Sequence, residues 1–282
     1  MGRRLRSLRG VTARFGPLVE TAWLREHLGE PGLVVVDCRF VLGRPGVAEV
    51  AWREGHIPGA PFLDVDRDLA DEPGLRGRHP LPDAGRFEAA ARRAGIGAES
   101  RVVAYDEAGE GGAARLWWLL RHFGHDQVAV LNGGLRAWRA EGGPLRPGEE
   151  EVDPSDFAAR PRAGDTVSAE DIQRDRPRLL DARAPERFRG ETEPIDAVAG
   201  HIPGAGNVPF ADIAPEGRFL PADRLSERIG GDAFVAYCGS GVTACNLVLA
   251  GEVAGVKGRL YPGSWSEWSR RGLQVERTSS FT

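Results

Sequence analysis

The chain has 282 residues, 41% of them hydrophobic, which is long for one ordinary globular domain and enough to build two cores. A formal net charge of −4 gives no overall drive toward nucleic acid or an anionic membrane surface, and no run approaches the roughly 20 apolar residues that span a bilayer. Small molecules or proteins are the expected partners, and the three cysteines, Cys38, Cys238 and Cys245, are too scattered for a disulfide framework or a zinc site.

Along the chain, residues 1–16 ("MGRRLRSLRGVTARFG") read as a tail, rich in arginine and without the apolar stretch of a secretory signal; a mitochondrial presequence is the alternative. A first domain is expected over 17–141. In it, the apolar runs "LVVVD", "VVAY" and "VAVL" read as strands buried on both faces, and they alternate with the helical patterns "RFEAAARRAG" and "ARLWWLLRHFG". Residues 142–165, rich in Gly, Pro and acid, read as a solvated linker.

A second domain follows over 166–275, and it repeats the first in order. "RLLDARAPERF" answers "LVVVDCRF", "AGHIPGAGNVPF" answers "EGHIPGAPFLDV", "AFVAYCGSG" answers "RVVAYDEAG", and "YPGSWSEW" answers "LNGGLRAW". Residues 276–282 are a C-terminal tail. The expected fold class is α/β, two tandem units, each a mainly parallel sheet flanked by helices.

The two copies differ where the third strand ends: the first delivers Asp106, the second Cys238. After Cys238 come Gly239, Ser240, Gly241, Val242 and Thr243, then the helical pattern "ACNLVLAGEVAG". A strand, a small-residue loop and a helix start gather backbone N–H groups around the sulfur, which favours a thiolate and can hold a sulfur anion. A cysteine phosphatase would need arginine six residues after the nucleophile; that position is Ala244. Cys245 lies two helical turns on and is expected to face the core, with a redox role as the alternative; Cys38 and the tryptophans are expected to be structural.

Together, the paired "GHIPGA" segments, "CGSGVTAC", "RFRGETEP" and "YPGSWSEW" resemble the two-domain sulfurtransferases of the rhodanese family over about residues 17–275. The resemblance implies two rhodanese-like domains, an inactive first and a catalytic second, with Cys238 carrying a persulfide. It implies a small-molecule sulfur donor and a thiol acceptor such as thioredoxin, a cytoplasmic setting, and no metal or organic cofactor.

On the donor, the resemblance points two ways. Thiosulfate enzymes of the family carry cationic residues directly after the cysteine, whereas Gly239 and Ser240 are neutral and resemble the 3-mercaptopyruvate enzymes. In those, Ser240, His79 of "RHPLP" and Asp66 of "HIPGAPFLDVD" match a proposed relay, and Arg187 of "RFRG" matches the arginine that holds the donor's anionic group. Against this, Ile195 stands nearest to where the mercaptopyruvate enzymes offer a second arginine. Mercaptopyruvate is the expected donor and thiosulfate the alternative; a noncatalytic sulfur carrier or protein-binding scaffold is the alternative of another class.

Overall fold

In the computed structural model, which describes residues 15–278, eight short strands form two separate sheets. The expected tails fall largely outside those residues. The first sheet is ordered β1-β4-β3-β2, from β1 (Leu18–Val19), β2 (Leu33–Asp37), β3 (Arg101–Tyr105) and β4 (Val128–Leu131). The second is ordered β6-β5-β7-β8, from β5 (Leu179–Asp181), β6 (Gly206–Asn207), β7 (Phe234–Tyr237) and β8 (Gly258–Leu260). Every pairing within them is parallel, which requires crossover connections and explains why helices alternate with the strands.

The repetition extends to individual hydrogen bonds. The Asp37 carboxylate takes the Arg39 guanidinium as Asp181 takes Arg183. The hydroxyl of Tyr105 accepts the Ile57 amide, and that of Tyr237 accepts the Ile202 amide. The ring of His56 donates from Nδ1 to the Trp52 carbonyl, and that of His201 to the Phe188 carbonyl. These contacts explain the duplicated "HIPGA": its histidine and isoleucine lock the segment beneath the end of the third strand of each copy. The motif is scaffolding.

Two helices at the centre of the molecule have no polar face. Residues Gly112–Leu120 of the helix Gly112–His122, and Ala244–Gly251 of the helix Ala244–Ala254, are all buried. A helix buried all round belongs between other layers, and these two pack on each other between the two sheets, with Arg115 and Asn246 as their buried polar residues. One buried cluster therefore runs through both copies, including Trp117, Trp118 and Leu119 from the first and Leu247, Val248 and Leu249 from the second.

The segment 142–165 differs from the solvated linker expected of its composition. It runs irregularly over the surface, but it is pinned: Arg146 exchanges backbone hydrogen bonds with His56, Arg160 N–H donates to the Phe123 carbonyl, and Phe157 is buried against Phe87 and His125. The single aromatic of the stretch adds to these contacts, because burying a phenyl ring stabilises by about 2 kcal/mol, and the Glu150 carboxylate adds another by accepting from the His56 ring. Composition averaged over the segment hides contacts of that kind.

Candidate active site

Strand β7 ends at Tyr237, and Cys238 is the first residue of the loop that leads to the helix Ala244–Ala254. The Gly241 N–H points at the cysteine sulfur, 3.2 Å away. Gly241 has φ +82°, and a Cβ there would lie 2.3 Å from the Pro262 carbonyl oxygen, so both conformation and space demand glycine. Behind the loop, the Cys238 and Gly239 carbonyls accept from the Trp265 and Ser266 amides at 3.0 and 2.9 Å, while the Cys238 N–H donates to Ser264 Oγ at 3.1 Å.

Ser264 was not anticipated from the sequence. It occupies the left-handed region at φ 51°, where the first copy has Gly134 at φ 59°. A serine tolerates that conformation at a cost of order 1 kcal/mol, and its hydroxyl gives the Cys238 amide a partner that a glycine could not. The departure of "YPGS" from "LNGG" was the available signal.

The first copy shows what happens to this cradle when a carboxylate stands in it. Asp106 accepts from the amides of Gly109, Gly111 and Ala113 at 2.6, 3.0 and 3.2 Å. Gly109 lies three residues after Asp106, as Gly241 lies three after Cys238, so the same amide faces an oxygen in one copy and a sulfur in the other. Burial and then Glu110 push the Asp106 carboxyl up to about 7, while those amides work in the opposite direction. The first cradle is filled by its own side chain, which leaves no room there for a sulfur anion.

The predicted relay residues come together although they are far apart in sequence. Ser240 Oγ lies 2.7 Å from His79 Nδ1, and His79 Nε2 lies 2.8 Å from Asp66 Oδ1. With Nε2–H donating to the carboxylate, Nδ1 is left to exchange a proton with the serine hydroxyl. Cys238, Ser240 and His79 are all buried, whereas Asp66 sits at the surface with its side chain 47% exposed. Phe40 packs edge-on against the His79 ring.

Arg115 is a second residue whose place the sequence left open. Its guanidinium is completely buried and reaches from the first copy to the cysteine loop, donating to the Gly241 carbonyl at 3.3 Å, to His79 and Pro80 carbonyls at 3.0 and 3.1 Å, and to Leu69 at 3.1 Å. It therefore ties the backbone of the relay histidine to the backbone of the nucleophile loop. Burial lowers its affinity for a proton, and the neighbouring sulfurs of Cys245 and Cys238 oppose that effect. Cys245 itself donates to the Gly241 carbonyl from the core, its thiol pushed up to about 12 by burial.

Arg187 lies beside the loop, its Nη2 and Nε held by Glu193 at 2.6 and 3.2 Å. Burial works against the Glu193 charge, yet the hydrogen bonds from Arg187 and from the Asp196 and Ile195 amides keep its carboxyl below the usual range. Arg189 pairs with Glu191 at the surface. Ile195 is 41% exposed, and the next residue, Asp196, instead ion-pairs with Arg78 of the first copy.

A cysteine at the end of a strand in an amide cradle, backed by a serine of its own copy and by a histidine and an aspartate of the copy that has Asp106 in the cysteine's place, defines a class, and the rhodanese-like domain model matches residues 20–141 and 166–271. The chain belongs to the rhodanese family. It is 46% identical over 267 residues to a probable 3-mercaptopyruvate sulfurtransferase of Pseudomonas aeruginosa, covering 89% of this chain and 94% of that one. A relative in Mycobacterium tuberculosis that carries a thiosulfate sulfurtransferase name is 42% identical over 258 residues, covering 86% and 89%. Among solved structures, that of the 3-mercaptopyruvate enzyme SseA from Escherichia coli superposes with a TM-score of 0.77 at 33% identity, covering 89% of this chain and 99% of that one.

Proposed function

We propose that this protein is a sulfurtransferase that takes sulfur from 3-mercaptopyruvate, carries it as a Cys238 persulfide and passes it to a thiol. The observation that carries the reading is the hydrogen-bonded chain Ser240–His79–Asp66 beside Cys238. The Cys238 thiolate attacks the donor's thiol sulfur, forming the S–S bond. The C–S bond breaks, and its electron pair passes to the carbon as the enolate of pyruvate.

That enolate must be protonated, and a proton held at His79 Nδ1 can move to it through the Ser240 hydroxyl. The Gly241 N–H faces the sulfur, Gly239, Ser240, Val242 and Thr243 complete the loop that leads from it to the helix, and the helix start favours negative charge. A thiol acceptor, thioredoxin or a small dithiol, then attacks the outer sulfur and restores the Cys238 thiolate. Three free cysteines suit a reducing, cytoplasmic setting.

Thiosulfate is the second reading, favoured by the name of the mycobacterial relative. Its leaving group, sulfite, needs no proton on carbon, so the two donors should respond differently to loss of the serine. Steady-state kinetics with one acceptor should give mercaptopyruvate the higher kcat/KM by tenfold or more, about 1.4 kcal/mol of transition-state preference. Ser240→Ala should lower that value by about 100-fold and leave thiosulfate turnover nearly unchanged. A thiosulfate preference insensitive to Ser240→Ala would put the second reading first, and failure of either donor to add one sulfur atom to the mass of Cys238 would favour a noncatalytic scaffold.

A further inference from the structure

Among the described residues three arginines are buried, and two of them lie against a buried aspartate of their own copy. Arg39 pairs with Asp37 at 2.8 Å and Arg183 with Asp181 at 2.7 Å, at matching places in the repeat. Arg115 has no carboxylate: its hydrogen bonds, to Leu69, Gly241, His79 and Pro80, all end on main-chain carbonyls. A guanidinium taken fully out of water is costly unless a negative charge stands near it. The acidic groups that act on Arg115 are the thiols of Cys245 and Cys238, and burial keeps the proton on Cys245.

The duplication shows that the fold itself needs no charge at this place. The helices Gly112–His122 and Ala244–Ala254 start at the same distance after Asp106 and Cys238, so Arg115 corresponds to Leu247, which is also completely buried. The Gly241 carbonyl, which takes Arg115, corresponds to that of Gly109, and the Gly109 carbonyl accepts from the Asn246 side-chain amide at 3.1 Å. One carbonyl in each loop is therefore held from the opposite copy. A neutral amide does this where the loop carries a carboxylate, and a cation does it where the loop carries a sulfur. Gly111 permits the approach: its φ is +106°, and a Cβ on it would lie 3.0 Å from the Thr243 backbone nitrogen.

We infer that Arg115 is the counter-ion of the Cys238 thiolate, a buried positive charge that the first copy supplies to the nucleophile of the second. The inference rests on Cys238 as the nucleophile and not on the choice of donor. Gly241 links the two groups: its N–H faces the sulfur at 3.2 Å, and its carbonyl takes the guanidinium at 3.3 Å. The other charged or titratable groups around the loop are Arg78 and Arg187 beside Gly239, with Asp196 and Glu193 behind them, and His79 with Asp66 beyond Ser240. Arg115 differs from these in reaching the loop from the core, where salt and water screen its charge least. Once sulfur is added, the same charge favours the persulfide as an anion.

The test is the pH dependence of Cys238 alkylation by iodoacetamide in the full chain, followed by mass. The reagent is neutral, so the arginines beside Gly239 do not steer it. Two variants separate charge from hydrogen bonding: Arg115→Gln loses the charge and keeps an amide donor for the carbonyls, whereas Arg115→Lys keeps the charge and loses the planar fork. Arg115→Gln should raise the pH of half-maximal rate by about one unit or more, and Arg115→Lys by less than about half a unit. Both variants leave carbonyls unpaired and lower the urea midpoint, so loss of stability alone does not produce this difference.

Equal shifts in the two variants, or no shift in either, would mean that Arg115 is a tie between segments and would overturn the inference. Should Arg115→Gln fail to fold, Arg115→Lys decides: a half-maximal pH within about half a unit of the unaltered protein supports the counter-ion, and a larger rise overturns it. If Cys238 of the unaltered protein reacts no faster than an ordinary exposed thiol, the nucleophile reading is what fails.

Discussion

Cys238 and Asp106 occupy equivalent places, and the difference in chemistry between the copies follows from the atoms there. A carboxylate spreads its charge over two oxygens and satisfies three amides by itself, whereas a single sulfur takes one amide and leaves the rest of its cradle for an incoming atom. The other two cysteines are held as thiols: burial, then the charges of Asp37 and Asp106, drive Cys38 well above the usual thiol range, and burial drives Cys245 up to about 12. Since the thiolate is the nucleophile and a raised value keeps the proton on, native protein at pH 8 should take up one alkyl group, on Cys238. Peptide mass mapping checks this, and labelling of Cys245 or Cys38 before Cys238 would contradict it.

At the scale of elements, the loops matter more than the strands. The three-residue strand β5 and the two-residue strand β6 are minimal, yet the loops at the strand ends are held by specific partners, Ser264 and Ser266 behind the cysteine and Arg115 beneath it. The connecting segment behaves the same way, held by specific partners at Arg146, Glu150 and Arg160 as well as by the buried Phe157 ring. Phe157→Ala should lower stability by about 3 kcal/mol, seen as a shift of the urea midpoint, and leave KM unchanged because the ring lies in the core of the first copy and not at the site. A loss under about 1 kcal/mol would mean that the segment is held by its backbone contacts and not by the ring.

The whole molecule is built so that neither copy holds a complete site. Of the candidate site, Asp66, His79 and Arg115 come from the first and Cys238, Ser240 and Arg187 from the second. The two central helices share one apolar cluster, with Trp117 and Trp118 on one side and Val248 on the other. An interface that continuous and apolar should couple the halves in unfolding. Calorimetry should therefore show one transition whose calorimetric and van't Hoff enthalpies agree, and two resolved transitions would show that the copies unfold independently.

By itself the sequence determined the α/β class and the duplication and singled out Cys238 as the candidate nucleophile, because each is written locally: buried strands as apolar β-branched runs, the repeat as ordered motifs, and Cys238 as a sulfur between a strand and a glycine-spaced helix start. It also named Ser240, His79 and Asp66 through resemblance, but their hydrogen-bonded alignment depends on folding, since His79 and Ser240 are 161 residues apart. The places of Arg115 and Ser264 were decided only in three dimensions. In a chain with 37 basic residues, all but one of them arginine, residue type cannot separate a guanidinium on the surface from one aimed at a sulfur. That distinction is made by burial, by the glycine that clears the space, and by the packing of one half of the chain against the other.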